Sequence, residues 1–139
     1  MTTLTATLML QVSILAAPPQ SYADAHKAAM ESGEPLLVLA GANWCPGCVT
    51  MKTSVVPELQ RRGSLKGVQF AQVDIDRQRG TARELSSAGV IPQLILFRKA
   101  EDGWRKWEVT GAQSPESVEQ FIRNGEGAEK TAAKPVSKR

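Results

Sequence analysis

Residues 35–48 read PLLVLAGANWCPGC, an apolar run that leads directly into two cysteines three positions apart. The run 35–41 has the length of a β-strand and carries no polar side chain, which is typical of a strand covered on both faces. A helical stretch, VTMKTSVV, comes directly after the second cysteine. The sequence therefore predicts a strand, a turn and a helix, with Cys45 and Cys48 at the turn.

These two residues are the only cysteines among the 139 residues. A disulfide between them would add little stability to the fold, because that stabilisation grows with the size of the loop it closes and this loop holds two residues. A closed zinc site needs four ligands, and His26 is the only other soft ligand. A pair that opens and closes by thiol–disulfide exchange is the favoured interpretation. A passive pair, and a metal shared between two chains, remain alternatives.

Composition predicts one domain, because 139 residues with 42% hydrophobic content can bury an ordinary core. The net charge of +3 is scattered along the chain. A nucleic-acid surface needs a concentrated basic patch with stacking aromatics, so we expect no nucleic-acid partner. We expect no stable membrane insertion, because the apolar run 8–17 is too short to span a bilayer. We also expect a monomer.

The first 23 residues carry no charged side chain, and LMLQVSILAA at 8–17 has about the length of the hydrophobic region of a signal peptide. Apolar and polar residues also alternate in this segment, as in a half-buried strand. The PPQS after it favours a junction between a leader and a domain. We therefore assign residues 1–20 to a signal peptide or N-terminal extension. Pro18 argues against cleavage at the most obvious point, after Ala17, and a later cut after Ala23 is the alternative. The expected location is extracytoplasmic or periplasmic, with a cytoplasmic location as the alternative.

The predicted order of elements is helix, strand, helix, strand, helix, strand, strand, helix. The early strands are joined by helical crossovers and the last two by the turn AEDG. This order indicates an α/β fold with a central mixed sheet of about four strands flanked by helices. The domain spans residues 21–125, and residues 126–139 form a disordered polar tail.

Three helix boundaries can be predicted from local chemistry. Pro57 should break or kink the helix after the cysteines, because it lacks an N–H and its ring clashes with the preceding turn. A helix over 80–89 should be closed by glycine. Ser114 and then Pro115 predict the start of the last helix, with serine as the N-cap and proline at the first helical position.

Three motifs together resemble the thioredoxin superfamily: WCPGC after a buried strand, VDID in the next strand, and IPQLILF after a short helix. The resemblance covers about residues 21–125. The opening SYADAHKAAMESGEPLLVLAGANWCPGC is most similar to exported bacterial thioredoxin-like proteins. The resemblance implies a thioredoxin-like fold and a thiol–disulfide oxidoreductase.

The resemblance also implies a role for individual residues. Cys45 matches the nucleophilic cysteine and Cys48 the resolving cysteine. Trp44 matches the residue that shapes the rim of the site, and Pro92 matches the cis-proline that faces the sulfurs. Ile91 and Pro92 would then offer backbone groups to an extended substrate segment.

Five further positions bear on this chemistry. Pro46 suits the first position of a helix, and Pro46 and Gly47 stand in the reverse order from the commonest reductase motif, which should influence redox poise. By the same resemblance, Leu39 replaces a buried aspartate, Gln72 a lysine and Gly41 a tryptophan. We therefore expect proton transfer from the resolving cysteine to use water or another base.

The residues themselves support a thiolate at Cys45. A free cysteine has a pKa near 8.5, and a helix start favours an anion by typically 0.3 to 1 kcal/mol. Backbone N–H groups of the first turn, including that of Cys48, can donate hydrogen bonds to the sulfur. Asp74 and Asp76 are expected to end a strand and to cap the turn after it; a catalytic carboxylate pair is the alternative.

We expect protein or peptide disulfides as substrates, a redox partner that recycles the cysteine pair, and neither a cofactor nor a bound metal. A non-enzymatic module that holds an extended peptide by backbone pairing is the alternative function.

Overall fold

The fold was analysed in a computed structural model that describes residues 20–86, 89–125 and 134–135. The predicted order of helices and strands is confirmed. The elements are α1 (Tyr22–Ser32), β1 (Leu36–Gly41), α2 (Pro46–Thr50), a π-helical turn (Met51–Val55), α3 (Val56–Arg62), β2 (Gln69–Asp74), α4 (Arg79–Leu85), β3 (Gln93–Ala100), β4 (Gly103–Thr110), α5 (Pro115–Asn124) and the short β5 (Lys134–Pro135).

The strands form one mixed sheet in the order β2-β1-β3-β4-β5. Strand β1 pairs in parallel with β2 and antiparallel with β3, and β3 forms an antiparallel hairpin with β4. Four strands of six to eight residues therefore make the sheet that the sequence predicts. This arrangement places β1 at the centre, with its carboxyl end leading into the cysteines.

Strand β1 is buried on both faces, as its apolar sequence predicts. Leu37 and Leu39 face one hydrophobic cluster, which includes Phe70 and Phe121. Leu36, Val38 and Ala40 face the other cluster, beneath α1 and α4. Burying a side chain of this size stabilises by about 1.5–3 kcal/mol, so the strand is anchored from both sides and gives the turn after it a fixed position.

The helical run after the cysteines passes through Pro57 and ends at Arg62. The predicted break of the chain does not occur, but a π-helical turn over Met51–Val55 lies close to the proline, directly before Val56 and Pro57. The α-helical pattern is interrupted, but the chain remains helical. The cysteines are therefore attached to a longer helical segment than the sequence indicates.

The other helix boundaries are set by their caps. Ser114 Oγ accepts a hydrogen bond from the Ser117 N–H at 3.2 Å, and Pro115 occupies the first helical position, as predicted. Helix α4 departs from prediction, because it ends at Leu85 and the backbone of Ser86 is extended. The predicted closure by Gly89 is wrong for this reason.

An exposed charge cluster joins α3 to α5. The Arg62 side chain lies 2.7 Å from both Glu58 Oε1 and Glu116 Oε1. Arg61 is 2.6 Å from Glu58 Oε1. Hydrogen bonds from Arg61 and then Arg62 lower the pKa of Glu58 to about 2. Such exposed pairs contribute little individually, but this one connects two helices distant in sequence.

Two predicted segments lie largely outside the described residues. The leader assigned to 1–20 is described only at Gln20, which forms a parallel bridge with Ala71 of β2. Within 126–139, residues 134–135 pair with β4, whereas the composition predicts a disordered tail. Proline fits this edge position, since an edge strand can lack an N–H. None of the described helices is long and apolar enough to cross a membrane.

Candidate functional site

The cysteine pair lies where the central strand β1 gives way to helix α2. Cys45 and Cys48 are joined by a disulfide, with Cα atoms 5.2 Å apart. Their residues are 7% and 5% exposed, respectively. The pair is therefore able to close, and it lies just below the surface rather than on it.

The start of α2 is built around Cys45. Cys45 is the N-cap, with an extended backbone, and its Sγ accepts a hydrogen bond from the Cys48 N–H at 3.2 Å. Pro46 occupies the first helical position, where a missing N–H costs no helical hydrogen bond. The predicted contact between the Cys48 N–H and the sulfur is confirmed. A thiolate on Cys45 would keep this donor, and a hydrogen bond to a charged acceptor is stronger than one to a neutral acceptor.

The loop before β3 packs against the cysteine turn. The Ile91–Pro92 peptide bond is cis. A Cβ atom placed on Gly47 would lie 3.3 Å from Pro92 Cδ. Gly47 thus lets the turn and the proline approach closely, and the residues that the sequence assigned to one site do come together.

Only one of the two residues assigned to backbone recognition has free backbone groups. The Pro92 carbonyl accepts the Gly111 N–H at 2.8 Å, and proline has no N–H of its own. In the described part of the chain, the Ile91 backbone makes no hydrogen bond. Ile91 therefore leaves its backbone groups open, whereas the Pro92 carbonyl is already bonded to Gly111.

Trp44 forms the exposed rim of the site. Trp44 is 68% exposed, and its Nε1–H donates a hydrogen bond to Asp76 Oδ2 at 2.9 Å. Asp74 Oδ1 accepts the N–H groups of Asp76 and Arg77 at 2.9 and 3.2 Å. The prediction of capping therefore holds for Asp74, whereas Asp76 positions the tryptophan, a role that sequence reasoning missed. The sequence signal for this role was Asp76 as the last residue of the VDID motif.

A cavity of about 260 Å³ lies beside Cys48. Its wall includes the three positions at which the chain departs from the reductase pattern, Leu39, Gly41 and Gln72. A Cβ atom placed on Gly41 would lie 2.9 Å from Cys48 Sγ, so only glycine leaves this sulfur room. The departures are therefore grouped around the resolving cysteine.

A second cavity, of about 600 Å³, lies on the side of Ile91. Asp76, Arg79 and Arg83 also line it. Asp76, which lines this cavity, also accepts the hydrogen bond from the Trp44 indole.

The described residues contain no group of three or more His, Cys, Asp or Glu side chains that could hold a metal ion. His26 is exposed on α1, with its ring 5.7 Å from that of Tyr22. It is thus a surface residue of that helix, on an element separate from the cysteines.

Comparison with known proteins identifies the family. The family model named Thioredoxin matches residues 19–124. The chain belongs to the thioredoxin family. No curated protein sequence matches the chain.

Solved structures share the thioredoxin fold with this chain. A thioredoxin from Trichomonas vaginalis is 20% identical, with a TM-score of 0.60, and the match covers 78% of this chain and 94% of that one. A thioredoxin from Thermus thermophilus is 20% identical, with a TM-score of 0.62 and coverages of 76% and 83%. The oxidised mitochondrial thioredoxin 3 of Saccharomyces cerevisiae is 22% identical, with a TM-score of 0.55 and coverages of 73% and 89%.

A thioredoxin domain that carries a close cysteine pair supports an oxidoreductase of thiols and disulfides in general. The structure brings together Trp44, Cys45, Cys48, Ile91 and Pro92 around one turn. Chemically, the arrangement offers a hydrogen-bond donor on the Cys45 sulfur, a second sulfur bonded to it, and an adjacent backbone edge.

Proposed function

We propose that this protein exchanges disulfides with protein or peptide substrates through Cys45 and Cys48. The observation that carries the proposal is the disulfide at the start of α2, whose Cys45 sulfur accepts the Cys48 N–H at 3.2 Å. A donor fixed on the attacking sulfur favours the thiolate, which is the reactive form. A structural staple needs no such donor.

The exchange is a consequence of this geometry. In the reducing direction, the Cys45 thiolate attacks a substrate disulfide, forms a mixed disulfide and releases one substrate thiolate. Cys48 then loses its proton and attacks Cys45 Sγ, which closes the protein disulfide and releases the second substrate thiolate. Two electrons pass from the protein dithiol to the substrate. The reverse sequence oxidises a substrate dithiol.

Substrate binding is assigned to the edge beside Ile91. Its free backbone groups suit pairing with an extended segment. Trp44 borders one end of this edge, where its indole is held by Asp76. A folded or unfolded protein can reach the pair from this side, because the rim projects into solvent. We assign recycling of the pair to a separate redox partner.

Exchange with a protein substrate tests the proposal. The reduced protein is mixed with a disulfide-bonded test protein at neutral pH, and thiols released from the test protein are counted by mass spectrometry after alkylation. We expect catalysed exchange and a measurable reduction potential for the pair. A Cys45→Ser/Cys48→Ser variant, matched in size at both positions, is the control. Binding of the test protein without electron transfer would replace this proposal with a peptide-binding module.

We also propose that the protein acts outside the cytoplasm after removal of its leader. The uncharged first 23 residues support this location. Mass measurement of the mature protein from its own cell tests it. A terminus at Asp24 is expected from removal of residues 1–23, whereas an intact Met1 or Thr2 terminus would contradict export.

A further inference from the structure

The cavity beside Cys48 offers an approach to the disulfide that the proposed exchange does not use. Cys48 contributes to its wall and Cys45 does not. The substrate edge at Ile91 belongs to the other cavity. Cys48, which is nearly buried like Cys45, can thus be approached from a side that the substrate edge at Ile91 does not occupy.

The size of this cavity restricts what can enter. Its volume of about 260 Å³ is roughly nine times the ~30 Å³ that a water molecule occupies in the liquid. Pockets for drug-sized ligands usually exceed about 300 Å³. A small molecule of a few heavy atoms fits, whereas a folded protein does not. Leu39 and Gly41 form part of its wall, and Gly41 leaves the approach to Cys48 Sγ without a side chain.

The direction of approach decides which sulfur is attacked. A thiolate attacks a disulfide in line with the bond it breaks, so it must come from the side of the attacked sulfur opposite the leaving one. A thiolate in this cavity faces Cys48 and makes Cys45 the leaving group. The Cys48 N–H already donates to Cys45 Sγ at 3.2 Å. A leaving thiolate stabilised in this way departs faster.

The charged wall favours an anion modestly. Lys52 and Arg77 contribute cations and Asp74 contributes a carboxylate. Lys52 Nζ lies 3.5 Å from Asn43 Oδ1. One oxygen of Asp74 is occupied by two backbone N–H groups. Two cations against one carboxylate leave an excess of one positive charge for the carboxylate of a small ligand.

We infer that this cavity admits a low-molecular-weight thiol bearing a carboxylate, which reduces the protein disulfide by attack on Cys48. The small thiolate bonds to Cys48 Sγ, the Cys45–Cys48 bond breaks, and the electron pair leaves on Cys45. A second small thiolate attacks the small-molecule sulfur of the mixed disulfide and releases Cys48, which takes a proton from water. Two small thiols are oxidised to their disulfide, and the protein gains two electrons.

This inference needs only the cysteine pair, so it succeeds or fails separately from exchange with protein substrates. The oxidised protein is treated with 3-mercaptopropionate, the exchange is stopped with acid after short times, free thiols are then alkylated, and the cysteine that carries the adduct is identified by mass spectrometry. The adduct is expected on Cys48, with Cys45 alkylated. An adduct mainly on Cys45 would overturn the inference.

Filling the cavity tests the route by rate. Gln72→Phe should slow reduction by 3-mercaptopropionate by about tenfold or more, because access sets the rate of exchange at a sulfur. Formation of the mixed disulfide between the reduced protein and a protein disulfide should change less than about twofold, since that first step takes place at Cys45. Gln72→Asn keeps the amide and leaves the cavity open, so it should behave like the wild type. Equal rates for the Phe and Asn variants would overturn the inference.

Charge selectivity gives a second test, which does not require the protein to fold with a larger side chain in the cavity. Rates with 3-mercaptopropionate and with the cationic thiol cysteamine are each divided by the rate of the same thiol with a linear disulfide. Lys52→Gln should lower the ratio of anionic to cationic rates by about two- to fivefold at low salt, as expected for a partly exposed charge. Lys27→Gln, an exposed cation on α1, is the control. An unchanged ratio in Lys52→Gln, or an equal change in Lys27→Gln, would contradict the inference.

Discussion

Replacing Leu39 with aspartate should accelerate the step in which Cys48 resolves a mixed disulfide. Leu39 is 4% exposed and lines the same cavity as Cys48. The wild-type protein offers no carboxylate at this position, so deprotonation of Cys48 should depend on water. Its resolution rate should therefore rise with pH toward the ordinary thiol pKa of about 8.5.

The magnitude depends on the chemistry of the new carboxylate. A positioned general base contributes typically about 10²–10⁴-fold, and a base at position 39 acting through water should reach the lower end. Burial raises the pKa of a carboxyl, which brings it closer to that of a thiol and makes it a better acceptor. We expect resolution near neutral pH to become about 10²-fold faster in Leu39→Asp, with a flatter pH profile.

The same substitution should destabilise the fold. Removing a buried leucine typically costs about 2–5 kcal/mol, and a buried carboxylate without a partner adds to this loss. The cavity moderates the penalty because water can reach the new group. Leu39→Asn is the matched control. Asparagine has nearly the same shape as aspartate and removes the same apolar contacts, but its amide cannot accept the proton as a carboxylate does.

Single-turnover kinetics on a preformed mixed disulfide would measure resolution, and denaturant unfolding would measure stability in the same variants. The reasoning predicts a fast Asp variant, a slow Asn variant and similar destabilisation of both. Equal resolution rates for Asp and Asn, or a wild-type rate that does not change between about pH 6 and pH 9, would refute it. Another base would then serve Cys48.

Three further outcomes are expected. In a double-mutant cycle followed by unfolding, Trp44→Phe and Asp76→Ala should show a coupling of about 0.5–1.5 kcal/mol for their hydrogen bond; additive losses would contradict it. Gly125→Ala should destabilise by about 1–3 kcal/mol more than Gly67→Ala, because both have positive φ but a Cβ at Gly125 meets a tryptophan ring at 2.9 Å and one at Gly67 meets nothing. Glu58 has a folded pKa of about 2, below its unfolded pKa of about 4.3. Its stabilising contribution is therefore present above the unfolded pKa and is lost as the pH falls through the folded value. A Glu58→Gln variant that loses stability as steeply as the wild type between these two pH values would contradict this.

Local chemistry made much of the fold predictable. A serine before a proline specified the start of α5, because the cap and the missing N–H act within one turn. The buried strand before Cys45 was equally clear, since an unbroken apolar run over 35–41 suits only an element covered on both faces. The cysteine spacing predicted the site, because its chemistry needs two sulfurs on one turn.

Features that depend on distant residues were not predictable in this way. The hydrogen bond from Trp44 to Asp76 joins residues 32 positions apart. The π-helical turn before Pro57 shows how the surrounding packing can keep a chain helical where local propensity predicts a break. The cavity beside Cys48 depends on what side chains from several elements leave unfilled, and Gly41 reveals its role only once its distance from Cys48 is known.

Trapping with single-cysteine variants tests the central claim most directly. The claim is that Cys45 attacks protein disulfides and Cys48 resolves the product. Incubated with a disulfide-bonded test protein, Cys48→Ser should accumulate a mixed disulfide through Cys45, whereas Cys45→Ser should accumulate none, because the opening beside Cys48 is too small for a protein. Equal trapping by both variants, or trapping by Cys45→Ser alone, would contradict the account.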